Sequence, residues 1–163
     1  MFNYIWHTVF FDPVYNSLVF FVDVIPGGDV GLAIIATVFL VKTILFPVSV
    51  KAAKTQRIMK EIEPQLKELK ETHKDDKEAQ AKAMMEIYRE AGMNPFASIL
   101  LIFIQIPVVI ALYFSVYRGG GVPLPEINTD LLYGFVVEPA AITMNFLGMI
   151  DITQRSVLLA IAA

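Results

Sequence analysis

VGLAIIATVFLVKTILFPVSV, residues 30–50, carries a single charged side chain, Lys42. As a helix it spans roughly 31 Å at about 1.5 Å per residue, which matches the hydrocarbon core of a bilayer. Residues 95–117, PFASILLIFIQIPVVIALYFSVY, carry no charge at all. Both stretches read as transmembrane helices. Composition agrees: 56% of the 163 residues are hydrophobic and 18% charged, with a mean hydropathy of +0.59, a balance foreign to water-soluble domains. The expected fold class is all-α, a multipass transmembrane helical protein.

Charge distribution orients the chain. Ten of the thirteen Lys and Arg lie between Lys51 and Arg89, whereas residues 1–29 hold none and Arg118 is the only one between Arg89 and Arg155. Basic residues concentrate on the cytoplasmic side, so residues 51–93 are expected in the cytoplasm, with the N-terminus outside and the plasma (inner) membrane as the location. Within 51–93, Ile58, Ile62, Leu66 and Leu69 repeat at helical spacing, and Ala79, Ala83 and Ile87, with Met84 beside them, do so after a turn near Thr72–Asp76. Two antiparallel helices zipped along these stripes form the predicted cytoplasmic hairpin, with a kink expected at Pro64. Glu63–Lys67 and Glu78–Lys82 supply i,i+4 pairs.

Residues 1–29 contain eight aromatics before Pro26-Gly27-Gly28-Asp29. A span there would bury Asp12 beside Pro13 at mid-bilayer, at a cost of roughly 2.5 to 3.5 kcal/mol, so an interfacial helix on the outer face is expected, with Asp29 capping the next helix. The expected partition is therefore 1–29 interfacial helix and turn, 30–50 first span, 51–93 hairpin, 94–117 second span and 118–154 outer loop with a segment that touches the interface. A short span within 131–150 is the alternative for that loop. Residues 155–163, entering SVLLAIAA, read as the start of a further span. No secretory leader is evident in the first residues.

Enzymatic signals are nearly empty. Cysteine is absent, and His7 and His73 are expected on opposite sides of the membrane without ligand-spaced partners. Gly119–Gly121 lack the Lys and Ser/Thr of a phosphate loop. Nine acidic residues nearly balance the ten basic ones of 51–93, which argues against nucleic-acid readout. No enzyme, metal, cofactor or small-molecule substrate is therefore expected.

Lys42 is the residue that asks for a reason. It lies about 13 Å along a helix axis from Lys51. Its ammonium could snorkel to the interface, or it could face a water-filled cavity, since intramembrane charge is a functional hypothesis by default. Ser49 falls on the same face. In the second span Asn94, Ser98 and Gln105 form another polar stripe. Alone such a stripe is usually interhelical glue; two polar faces, one cationic, point to a shared hydrated groove.

Three stretches together carry a family resemblance: LVKTILFP at 40–47, KAAKTQRIMKEIEPQLKELK at 51–70, and KAMMEIYREAGMNPFASILLIFIQIPVVIALY at 82–113. In this order they resemble the core of the YidC/Oxa-type membrane protein insertases, and FLGMIDIT at 146–153 is similar to the outer segment before that family's next span. The resemblance implies a hydrophilic groove that receives nascent membrane protein clients and releases them into the lipid bilayer. It implies Lys42 as the positive groove residue, where the family usually has arginine, so the sign is kept and the bidentate geometry lost. Gln105 matches a groove-lining position, while Ser49, Ser98 and Asn94 join by helical spacing. The Sec translocon and the ribosome are the further partners that the resemblance brings.

Two rivals stand beside this reading. A transporter or channel fragment would have Lys42 and Gln105 lining a polar path, but from Lys42 back to Val30 the only polar side chain is Thr37. A structural subunit would dock a soluble partner on the hairpin and leave Lys42 snorkelling.

Overall fold

A computed structural model describes residues 1–74, 76–94, 96–118 and 121–153, with the backbone alone at Phe2, 96–99 and Leu101. The chain is mostly helical. In order come α1 (Phe2–Ile5), a π-helical turn (Trp6–Phe11), α2 (Asp12–Val24), α3 (Val30–Ile44), α4 (Phe46–Thr72), α5 (Lys77–Glu90) and α6 (Phe96–Tyr117). A 3₁₀ turn at Thr129–Leu131 and two short strands, β1 (Asn145–Phe146) and β2 (Ile150–Asp151), follow. The chain divides into two units: residues 1–43 with 106–163, and residues 44–105.

In the first unit, the N-terminal helix owes its π turn to the Asp12-Pro13 pair. The Asp12 N–H reaches back to the His7 carbonyl, a five-residue step. That register brings His7 Nδ1 within 3.0 Å of Asp12 Oδ1. α2 then buries Val14, Tyr15, Leu18, Val19 and Val22. Tyr15 and Val19 pack with Phe11, Ala111 of α6 and Val136, while Leu18 and Val22 pack with Val30, Ala33 and Leu124. Each such side chain contributes about 1.5 to 3 kcal/mol where it leaves water.

Loop 121–153 is held to these helices by polar clamps. Asn16, 2% exposed, donates from Nδ2 to the Leu131 carbonyl at 2.9 Å and accepts the Tyr133 N–H at 2.6 Å. The Tyr15 hydroxyl accepts the Asn128 N–H at 2.8 Å. Asp29 caps α3 by accepting the Leu32 N–H at 3.0 Å, as its position predicts, and its other oxygen accepts the Leu147 N–H at 2.7 Å. Gly28 sits at φ +63, and a Cβ there would overlap the Ala141 carbonyl, so only glycine lets Thr143 bond both the Gly28 carbonyl and the Val30 N–H. Residues 132–150 hold no helix, so the short-span alternative for 131–150 is not what the chain adopts.

The helix expected to run through 30–50 is broken at Leu45. Pro47 explains the break, since its ring cannot accommodate the Thr43 carbonyl four residues back and it sits comfortably in the first turn of a new helix. Among the described residues no single helix is long and apolar enough to cross a membrane; α3 and α4 pass that test together, as a broken pair, and Ile102–Tyr117 is a shorter apolar helix.

In the second unit, α4 continues as helix through Pro64. Asp76 caps α5 by accepting the Glu78 and Ala79 N–H groups at 3.1 and 3.0 Å. The other end closes with Gly92 at φ +62, its N–H on the Arg89 carbonyl and the Met93 N–H on the Tyr88 carbonyl, which satisfies two carbonyls the last turn would strand. α5 packs on α4 through Ile58, Met59, Ile62 and Leu66 against Met84, Ile87, Tyr88, Ala91 and Met93. Ala79 and Ala83 are half-buried outside that cluster. Residues 155–163, the expected start of another span, lie outside the described residues.

Candidate functional site

α3 turns Val30, Gly31, Ala33 and Thr37 inward, and Thr37 spends its hydroxyl on the Ala33 carbonyl at 2.8 Å. Ile35, Phe39 and Ile44 are left 54%, 72% and 65% exposed, the pattern of a helix wrapped by an apolar medium on its far side. Lys42 is exposed as well. The break at Leu45 puts it in the last turn of α3, where a cation also complements the negative end of the helix dipole. Among the described residues it takes part in no ion pair.

Ser49 opens α4, half-buried, with its hydroxyl donated to the Leu45 carbonyl at 3.1 Å. Asn94 is exposed just before α6, and Gln105 is half-buried within α6. The side chain of Ser98 lies outside the described atoms. Lys42 belongs to the first unit, and Ser49, Asn94 and Gln105 to the second. The structure thus does not bring the candidates into a single unit.

Each unit also has a cavity. That of the second, about 800 Å³, is lined by Lys82, Met85, Tyr88, Arg89, Met93 and Asn94, among others. That of the first, about 330 Å³, is lined by Asn16, Phe20, Phe21, Leu40, Tyr133 and Phe135, among others. Of the candidate residues with described side chains, Asn94 lines the second unit's cavity, and Lys42, Ser49 and Gln105 line neither. Among the described residues no three His, Asp or Glu side chains converge as a metal site requires.

On α4 and α5 charge is local and solvated. Lys67 and Lys82 pair with Glu63 and Glu78, each at 2.9 Å, and Arg57 with Glu61 at 3.5 Å. Such exposed i,i+4 pairs stabilise a helix only by tenths of a kcal/mol. The Lys67 ammonium, by hydrogen bond and charge, holds the Glu63 carboxyl below its ordinary pKa.

Sequence reading missed the residues that tie α2 and α3 to loop 121–153, Asn16 and the second oxygen of Asp29. The available signal was weak. Asn16 stands out only as a polar residue on the face that carries Tyr15, Val19 and Val22, and nothing in its neighbourhood names residues 131 and 133 as partners.

Comparison with known proteins supplies the family. The model of the 60Kd inner membrane protein family matches residues 20–163. Over 108 residues, 66% of this chain, the sequence is 39% identical to the membrane protein insertase YidC of Pelobacter propionicus, covering 20% of that protein. Over 87 residues, 53% of this chain, it is 44% identical to the membrane protein insertase YidC of Francisella tularensis subsp. novicida, covering 16% of it. The chain therefore matches a fifth or less of the length of these relatives. With a family model extending over most of its residues, the chain belongs to the 60Kd inner membrane protein family.

Proposed function

We propose that the protein is a membrane protein insertase and chaperone, in which a positively charged hydrophilic groove receives client transmembrane segments and releases them into the bilayer. The single observation that carries the reading is Lys42, an exposed cation in the last turn of an apolar helix, in a member of a family of inner membrane proteins. A relative matched over 108 residues is itself named an insertase.

In this reading α3 with the start of α4 forms one span, broken at Leu45, and α6 the other. The N-terminal helix lies at the outer interface, and the α4–α5 arm projects into the cytoplasm. Gln105, Ser49, Ser98 and Asn94 line the groove with Lys42. Mechanistically, the ammonium attracts an acidic residue in the tail that a client must send across. For charges roughly 8 Å apart at an effective dielectric constant of about 20, that attraction is about 2 kcal/mol. Water held in the groove and a thinned bilayer lower the cost of moving polar groups. Nucleotide hydrolysis has no role. The arm, with its charges nearly balanced, contacts clients or ribosome-linked partners, and the Sec translocon is a companion on some routes.

The test is insertion of a client with an acidic translocated tail, in cells depleted of their own insertase and supplied with the full-length protein. Lys42→Ala is expected to lower insertion about thirtyfold if the full attraction is lost, at about 1.4 kcal/mol per tenfold. Lys42→Glu abolishes it, and reversing the tail charge restores it. Undiminished insertion by both variants would return Lys42 to a snorkelling role.

A further inference from the structure

β1 and β2 pair antiparallel, Asn145 opposite Asp151 and Phe146 opposite Ile150, and present Leu147-Gly148-Met149 at their tip. Leu147 is 53% and Met149 79% exposed. Leu147 sits at φ +52, a left-handed conformation that glycine or asparagine adopts with less strain. The tip thus keeps a large apolar side chain where a small or polar residue fits more easily.

Its backbone donors are all turned inward. The Leu147 N–H goes to Asp29 Oδ2 at 2.7 Å, the Gly148 N–H to the Asn145 carbonyl at 3.2 Å, and the Met149 N–H to the Phe146 carbonyl at 3.0 Å. Asp29 is 8% exposed, and its other oxygen is engaged by the Leu32 N–H. Residues 139–150 carry no charge. Apolar side chains outward and donors satisfied within are what a loop needs to leave water for lipid, because acyl chains offer an unpaired N–H nothing. A protein partner brings acceptors of its own and makes no such demand.

We propose that the Leu147–Met149 tip is an interfacial membrane anchor seated among lipid headgroups and the upper acyl chains, with Asp29 satisfying the donor that would otherwise resist entry. This stands apart from the groove, so Lys42→Glu should leave it unchanged.

The chain has no cysteine, so Leu147→Cys and Met149→Cys each place one thiol in it for a nitroxide label. The full-length protein would be reconstituted into vesicles of phosphatidylethanolamine and phosphatidylglycerol, with Glu126→Cys, an exposed polar position, as reference. Collisions with dissolved oxygen relative to a water-soluble nickel chelate are expected to be several-fold more favoured at 147 and 149 than at 126. A ratio equal to the reference would place the tip in water, and low collision with both agents would place it under protein; either result overturns the proposal. Asp29→Asn, which keeps an acceptor for Leu32 but turns an amide toward the Leu147 N–H, should bring the ratio at 149 down towards the reference. An unchanged ratio would overturn the role given to Asp29.

Discussion

Replacing Asn16 with leucine keeps the number of side-chain heavy atoms and removes every polar atom the side chain offers. In the native fold its Nδ2 donates to the Asp12 carbonyl at 2.8 Å and to the Leu131 carbonyl at 2.9 Å, and its Oδ1 accepts the Tyr133 N–H at 2.6 Å. The Leu131 carbonyl and the Tyr133 N–H lose these partners in the variant. A stranded buried group costs about 1 to 3 kcal/mol. Because residues 131 and 133 are only half-buried, water replaces part of each bond, and the lower end applies to both, about 2 kcal/mol in all. The loss is local, loosening the loop from α2. Amide hydrogen exchange on the full-length protein in membranes reads it directly. With about 1.4 kcal/mol per tenfold, exchange at Tyr133 should speed up roughly thirtyfold. Tyr15→Phe, which removes only the acceptor for the Asn128 N–H, should free the amide of Asn128 and leave that of Tyr133 protected. Unchanged exchange at Tyr133 in Asn16→Leu would refute the clamp.

Gly28→Ala should detach the loop from the start of α3, since the left-handed backbone costs alanine about 1 to 2 kcal/mol and its Cβ would collide with the Ala141 carbonyl; faster exchange at Thr143 and Val30 is the readout. On α4, the side chain of Glu63 should titrate below the ordinary glutamate pKa because of Lys67, and Lys67→Met should bring it back up. The sign follows from the depressed folded pKa: the pair's small stabilisation is complete above the ordinary glutamate range and fades as pH falls through the folded pKa. Nuclear magnetic resonance of the Glu63 carboxyl checks both, and a midpoint that Lys67→Met leaves in place would show that the pair does not persist in solution.

The helical stretches were legible because their signals are local. Apolar runs at 30–50 and 95–117 need no knowledge of a partner, and neither does the Asp29 cap, whose acceptor reaches the N–H group three residues away. The Ile58-Ile62-Leu66 stripe likewise appeared as a period. Its partner face was less legible. Ala79, Ala83 and Ile87 were read on one face with Met84 beside them; of these Met84 and Ile87 pack on α4, together with Tyr88. For the candidate groove, Lys42 was legible as a charge in an apolar run, and its polar companions as stripes; what it faces was not.

Sequence alone determined most of the helical segments, which stretches are apolar, and that Lys42 is the one charge in the run 30–50, because composition and periodicity act over one or two turns of chain. Tertiary structure decided the rest. The break at Leu45 has a local cause, the conflict between the Pro47 ring and the Thr43 carbonyl, and the structure shows it prevailing over a continuous apolar pattern. The partnerships of Asn16 with Leu131 and Tyr133, and of Asp29 with Leu147, join residues 115 to 118 positions apart. A hydrogen bond depends on where two groups end up in space, and no local pattern in either segment encodes that distance.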